Sequence, residues 1–140
     1  MANQTAGASS DDAGKLVLRL TLGVLLLFHG YAKLTGNFGF VEGVVAKAGL
    51  PHFVAYLVFL GEVVGPVLVI LGLWTRIGGL FITISMLFAI VLVHRHQLLE
   101  LGQGGGWGQE LAAFYLLVGL SVALLGAGRY SIGGSRGRWN

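Results

Sequence analysis

The sequence predicts an all-α fold, an integral membrane four-helix bundle with the N and C termini cytoplasmic. Hydrophobic residues make up 55% of the 140 residues and charged residues 11%, with a mean hydropathy of +0.80. Since a soluble domain carries about 25% charged residues, this chain has too few of them to cover a surface that faces water. The apolar residues fall into four stretches, each near the ~17–25 residues that a helix needs to cross a bilayer.

The chain divides into three predicted parts. Residues 1–14 are small and polar, without the basic start of a signal peptide, and are expected to be a disordered lead-in. Residues 15–130 form the membrane domain, and residues 131–140 form a polar, basic tail. The predicted spans cover about 16–34, 53–73, 77–94 and 109–127. Between the first two spans, within 35–52, apolar residues recur at helical spacing, which predicts a short helix in the membrane interface.

Basic residues set the predicted orientation. With four spans, both termini lie on the same side as the tight turn at residues 74–76. That side holds Lys15, Arg19, Arg76, Arg129, Arg136 and Arg138, whereas the other side holds Lys33, Lys47 and Arg95. The positive-inside rule therefore predicts cytoplasmic termini for a multi-pass protein of the inner (cytoplasmic) membrane.

A carboxylate inside the second span is the strongest candidate for a functional residue. Glu62 lies about nine residues, ~14 Å, from the outer end of that span. It cannot reach the membrane surface from there, so it must be paired, protonated or facing a polar cavity. His29 and Lys33 lie four residues apart on one face of the first span, and we expect them to meet Glu62 in the outer half of the bundle. A structural ion pair that sets helix register is the alternative.

Other polar residues admit two interpretations each. Arg19 and Lys33 either face the bundle interior or extend to the two membrane surfaces along their apolar stems. Glu110 either favours the helix dipole at the start of the fourth span or lies at the mouth of a cavity that contains Glu62. Pro66 is expected to kink the second span and to free a carbonyl near Glu62.

Several kinds of chemistry are excluded by composition. The chain has no cysteine, which excludes disulfides, iron–sulfur clusters, covalent haem and cysteine nucleophiles. No ligand spacing predicts a metal site, and no basic run suits nucleic acid. His29 and His94 could together ligate a b-type haem, although histidines near span ends are more often interfacial.

Four sequence pieces, taken in order, resemble the DoxX/DoxD family of small integral membrane proteins. They are RLTLGVLLLFHGYAKL at 19–34, AGLP at 48–51, GEVVGPVLVILGLWTR at 61–76 and GAGRYS at 126–131. The last motif of the family often ends in an aspartate, where this chain has Ile132, so a role for that acid does not carry over. The resemblance implies a four-helix membrane bundle. Some relatives look like quinone-linked subunits of thiosulfate oxidation, and others look like membrane partners of redox or detoxification proteins.

Three functions are consistent with these residues. The first is a redox-linked subunit that binds a quinone or quinol between the first, second and fourth helices and receives electrons from a partner protein. Its candidate catalytic residues are Glu62, His29 and Lys33, and its candidate quinone-binding residues are Arg19, Tyr31, Arg76 and Glu110. The second is a non-catalytic anchoring or assembly subunit, and the third is a small transporter or proton path. The glycine-rich helix faces also allow a homo-oligomer in the lipid bilayer.

Overall fold

The protein is built from helices that follow one another along the chain. The structure, a computed structural model, describes residues 2–93, 100–101, 105–134 and 137–140. In chain order the elements are α1 (Ala2–Ala32), π1 (Lys33–Asn37), α2 (Phe38–Lys47), α3 (Phe53–Tyr56), π2 (Leu60–Val64), α4 (Gly65–Leu71), α5 (Thr75–Phe88), π3 (Ala89–Val93) and α6 (Glu110–Leu125). Within the described ranges the named elements are all helical, which confirms the predicted all-α class.

Three helical stretches are long and apolar enough to cross a membrane. They are Ser10–Gly36, Phe53–Leu71 and Thr75–Val93, and they coincide with the first three predicted spans. The fourth predicted span corresponds to α6, an apolar helix of 16 residues, just below the ~17 residues typical of a span. The membrane character of the chain is therefore established by three helices, and a fourth crossing stays a prediction.

Helix α1 extends on the N-terminal side of the first predicted span, from Ala2 to Ala32. The disordered lead-in expected for residues 1–14 stays a prediction. Within α1, Oδ1 of the buried Asp12 accepts a hydrogen bond of 3.0 Å from the Arg129 backbone N–H. Such a contact links residues far apart in sequence and cannot be read from local composition.

The predicted short helix between the first two spans is present as α2. It begins at Phe38, after the π1 segment breaks the direction of the chain at Gly36. Pro51 follows its end and begins the approach to α3. Helix α2 buries Val45 against the neighbouring helices and leaves Phe40 exposed.

The core lies where all four long helical stretches meet. Its buried members are Leu22 and Leu26 of α1, Val69 of α4, Ile82 and Met86 of α5, and Tyr115 and Val122 of α6. Because each stretch contributes at least one buried side chain, the core joins them into one bundle. The outward faces keep large apolar side chains exposed, among them Phe28 and Leu124, as expected where lipid covers the surface.

A buried arginine joins three segments at one end of the bundle. Arg19 is 1% exposed, and its guanidinium donates to the carbonyls of Val69 (2.8 Å), Ile70 (3.1 Å) and Tyr130 (3.1 Å), and to that of Ala127. These carbonyls lie at or after the ends of α4 and α6, where helices leave acceptors without intrahelical donors. Arg19 therefore does not extend to the membrane surface.

The Arg19 contacts predict a large loss of stability when its side chain is removed. Arg19→Ala should lower the free energy of unfolding in detergent by about 3 kcal/mol or more, because each buried carbonyl left without a donor costs about 1–3 kcal/mol. The measurement is thermal unfolding followed by circular dichroism. Arg129→Ala is the matched control: its side chain is 73% exposed, so its surface ion pair should contribute less than about 1 kcal/mol. Equal effects of the two substitutions would contradict this account of Arg19.

Candidate functional site

Glu62 lies in an irregular turn of the second spanning stretch. In π2 the Gly65 backbone N–H donates to the Leu60 carbonyl five residues earlier, so the backbone is wider there than an α-helix. Pro66, which follows, lacks the N–H that would bond the Glu62 carbonyl in a regular helix. A π turn thus precedes Pro66, and the kink that the sequence predicts at Pro66 stays a prediction. Such single π turns occur often at functional sites.

Two glycines let neighbouring helices approach this turn closely. A Cβ at Gly30 of α1 would lie 2.9 Å from the Glu62 carbonyl carbon, which is shorter than any ordinary contact. A Cβ at Gly61 would lie 2.9 Å from the Phe81 carbonyl oxygen and would also collide with Ser85 of α5. The backbones of α1 and α5 can therefore pack directly against π2 only because both positions lack a side chain.

An ion pair is the centre of the candidate site. Lys33 Nζ lies 2.5 Å from Glu62 Oε2, and the two side chains are 20% and 6% exposed. The expected meeting of Lys33 with Glu62 thus occurs. A carboxylate inside an apolar bundle costs less free energy when a partner of opposite charge lies beside it, and Lys33 is that partner here. The pair joins the first spanning stretch to the second and leaves part of the ammonium accessible.

The pair borders a large apolar cavity of about 390 Å³. Its walls come from α2, the second spanning stretch and the third, including Val44, Val54 and Ile84. Lys33, Glu62 and Ser85 are the polar residues of its lining. The cavity lies beside α2 and α5, whereas the sequence analysis placed the ligand between the first, second and fourth helices.

A second, smaller cavity of about 260 Å³ also reaches Glu62. It is lined by residues of α1, π2, α5 and π3, and by Gly108, Gln109, Leu111 and Ala112 at the start of α6. His29 and the buried Gln109 contribute its other polar groups. The His29 ring also packs edge-on against Tyr115, with 5.7 Å between ring centroids. His29 and Lys33 therefore share one helix face but face different cavities.

The remaining predicted site residues are not brought to this pair. Arg76 lies at the opposite end of the bundle with Arg19, and its Nη1 donates to the carbonyls of Ala123 (3.1 Å) and Leu124 (2.9 Å). Tyr31 is 66% exposed on the outside of α1. Glu110 is exposed in the first turn of α6, next to Gln109.

Gln109 is 2% exposed and lines the smaller cavity, although the sequence does not mark it as a site residue. A polar residue directly before a long apolar helix looks like an ordinary helix start. Its burial follows from the packing of α6 against α1 and π3, so local sequence carries no signal for it.

Among the described residues, no group of three or more His, Asp or Glu side chains could hold a metal ion. The alternative of a haem between His29 and His94 falls outside the described residues, because His94 is not among them.

Comparison with known proteins relates the chain to one family. A sequence model described as DoxX matches residues 14–95. A Bacillus subtilis (strain 168) protein named "Putative oxidoreductase CatD" is 37% identical over 84 residues, 60% of this chain and 62% of that protein. An Escherichia coli (strain K12) protein named "Inner membrane protein YqjF" is 32% identical over 84 residues, 60% of this chain and 64% of that protein. The alignments thus span less than two thirds of either relative, and no solved structure matches the chain significantly.

The buried ion pair predicts strong energetic coupling between Lys33 and Glu62. Lys33→Met and Glu62→Gln should each be destabilising, by about 3–5 kcal/mol, because each leaves a charge without its partner. The double variant should recover much of that loss, giving a coupling energy of about 2 kcal/mol or more in a double-mutant cycle of unfolding free energies.

The exposed pair of Glu42 and His52, 2.9 Å apart with side chains 36% and 65% exposed, provides the control cycle. Its coupling energy should stay below about 1 kcal/mol. Additive effects of the Lys33 and Glu62 substitutions would show that the pair is not held in the folded protein.

Proposed function

The chain belongs to the DoxX family, and from the paired Lys33 and Glu62 at an apolar cavity we propose that it is a membrane subunit of a redox system that binds a quinone or quinol. The observation that carries the proposal is the position of the pair. A charged donor and a charged acceptor meet at the edge of a cavity whose other walls are almost entirely apolar. An amphipathic ligand with a small polar head and an apolar body matches that distribution.

The larger cavity has the size and lining that such a ligand requires. Its volume of about 390 Å³ lies within the ~300–1,000 Å³ of typical small-molecule sites. Val44, Val54 and Ile84 offer apolar contacts to a ring and the first part of a tail. Ile84 is 50% exposed, so the tail could continue from the cavity into the surrounding lipid.

The polar end of the cavity suits the head group of a quinone. The Lys33 ammonium can donate to a quinone oxygen, and the Glu62 carboxylate can accept from a quinol hydroxyl. Reduction of a quinone to a quinol takes up two electrons and two protons, so a carboxylate beside the head group provides a proton acceptor or donor. In this proposal Lys33 and Glu62 act directly on the head group, and a partner redox protein exchanges the electrons.

The relatives support the redox class and the membrane location. One relative has oxidoreductase in its name, and another is named as an inner membrane protein. We place this chain in the inner membrane with both termini cytoplasmic. The structure supports that orientation because Arg19, Arg76 and the segment after α6 lie together at one end of the bundle.

Quinone binding can be tested with the purified protein in lipid nanodiscs. Titration with decyl-ubiquinone or decyl-menaquinone should show saturable binding to the wild-type protein. Glu62→Gln should weaken it about tenfold, which corresponds to the loss of one charge-assisted hydrogen bond of about 1.4 kcal/mol. Val44→Trp should weaken binding at least as much by filling the cavity.

Leu117→Trp is the control for the added indole, because Leu117 is 60% exposed on α6 and lines neither cavity. It should bind like the wild-type protein. If neither quinone binds the wild type, or if Val44→Trp and Leu117→Trp behave alike, the proposed site is wrong. Recovery of a stable protein partner without quinone would then favour the anchoring function.

A further inference from the structure

Glu62 is in contact with two cavities of different chemical character, and we propose that the smaller one is a water-filled proton inlet from the membrane surface to the Glu62 carboxylate. The two cavities have two lining residues in common, Glu62 and Ala89. These residues therefore form the partition between them. This inference rests on the proposed function, because a proton inlet is needed only if Glu62 exchanges protons with a ligand.

The lining of the smaller cavity favours water. Its volume of about 260 Å³ is far above the ~10–15 Å³ of accessible space that one water molecule needs. Glu62, His29 and Gln109 supply polar groups along its length, and a buried water requires about two to four such partners. Among the described residues that line the larger cavity, Lys33, Glu62 and Ser85 are the polar ones, so most of its surface favours apolar groups.

The position of the smaller cavity connects it to an aqueous surface. Its rim includes His29, Gly108 and Leu111, which are exposed. Gly108 and Leu111 flank the first residue of α6, so this rim lies at the end of a helix and not at mid-depth. The cavity therefore opens where the helix meets the connecting segment, at the level of the membrane surface.

The charged groups around Glu62 are few. Among the described residues that line either cavity, the titratable side chains are Lys33, Glu62 and His29. Lys33 faces Glu62 from the larger cavity, and His29 faces the smaller one. In quinone reduction, two protons enter past His29 one after the other, and each moves through the Glu62 carboxylate to a quinone oxygen in the larger cavity. The partner protein supplies the electrons, and quinol oxidation reverses the path.

Cysteine accessibility tests this assignment without any quinone. The chain has no cysteine, so single cysteines can be introduced at Ala112 in the smaller cavity and at Ile84 in the larger one. Only a thiolate reacts rapidly with a charged methanethiosulfonate reagent, and a thiol ionises poorly away from water. In nanodiscs, Ala112→Cys should react about tenfold or more faster than Ile84→Cys.

Ala113→Cys is the matched control, because Ala113 is the next residue of α6 at the same depth and lines neither cavity. It should react markedly more slowly than Ala112→Cys. If Ala112→Cys reacts no faster than Ala113→Cys, the cavity is not filled with water and the inlet is refuted.

A bulky substitution separates failure of the inlet from failure of quinone binding. Ala112→Phe should leave the affinity for decyl-quinone unchanged but slow proton uptake during quinone turnover with reductant, as recorded with a pH indicator. Unchanged proton uptake in a variant that melts like the wild type would overturn the inlet while leaving the quinone site intact. Absence of quinone binding in the wild type would instead overturn the proposed function, whatever the cysteine reactivities show.

Discussion

Charge inside an apolar bundle has to be neutralised within the protein, and the rest of this structure is arranged around that requirement. At one end, the Arg19 guanidinium is surrounded by backbone carbonyls at the ends of α4 and α6, which have no intrahelical donors. In the other half, Lys33 neutralises Glu62 across two helices. Both arrangements tie the first spanning stretch to segments far along the chain, so the ionised groups add contacts between helices that also share the apolar core.

The two ends use their charges differently. Arg19 is almost fully buried, and Arg76 also donates to backbone carbonyls. Neither arginine lines the two cavities described above. The Lys33–Glu62 pair borders the larger cavity, and Glu62 also borders the smaller one. A ligand or water can approach this pair without dismantling the bundle, which is why the proposed chemistry belongs at this end.

Backbone irregularity makes that accessibility possible. The π turn at Leu60–Val64 places Glu62 between α1 and α5, and Gly30 and Gly61 allow both helices to approach it. Regular α-helices with larger residues at these positions would be held further apart. The same turn also brings Glu62 and Ala89 together as the partition between an apolar cavity and a more polar one. The proposed routes for an apolar ligand and for protons would therefore meet at one carboxylate, which borders both cavities.

The sequence by itself determined the membrane class, the first three spanning stretches, α2 and the contact of Lys33 with Glu62. These follow from runs of apolar residues, from helical periodicity and from the cost of an unpaired carboxylate in a bilayer. It did not determine the burial of Arg19, the contact of Asp12 with the segment after α6 or the lining of two cavities. Long-range contacts decide these features: Arg19 with carbonyls about 50 and 108 residues away, Asp12 with Arg129, and Gln109 with its neighbours. Local sequence does not show which distant residues come into contact, so only the tertiary structure could decide these features.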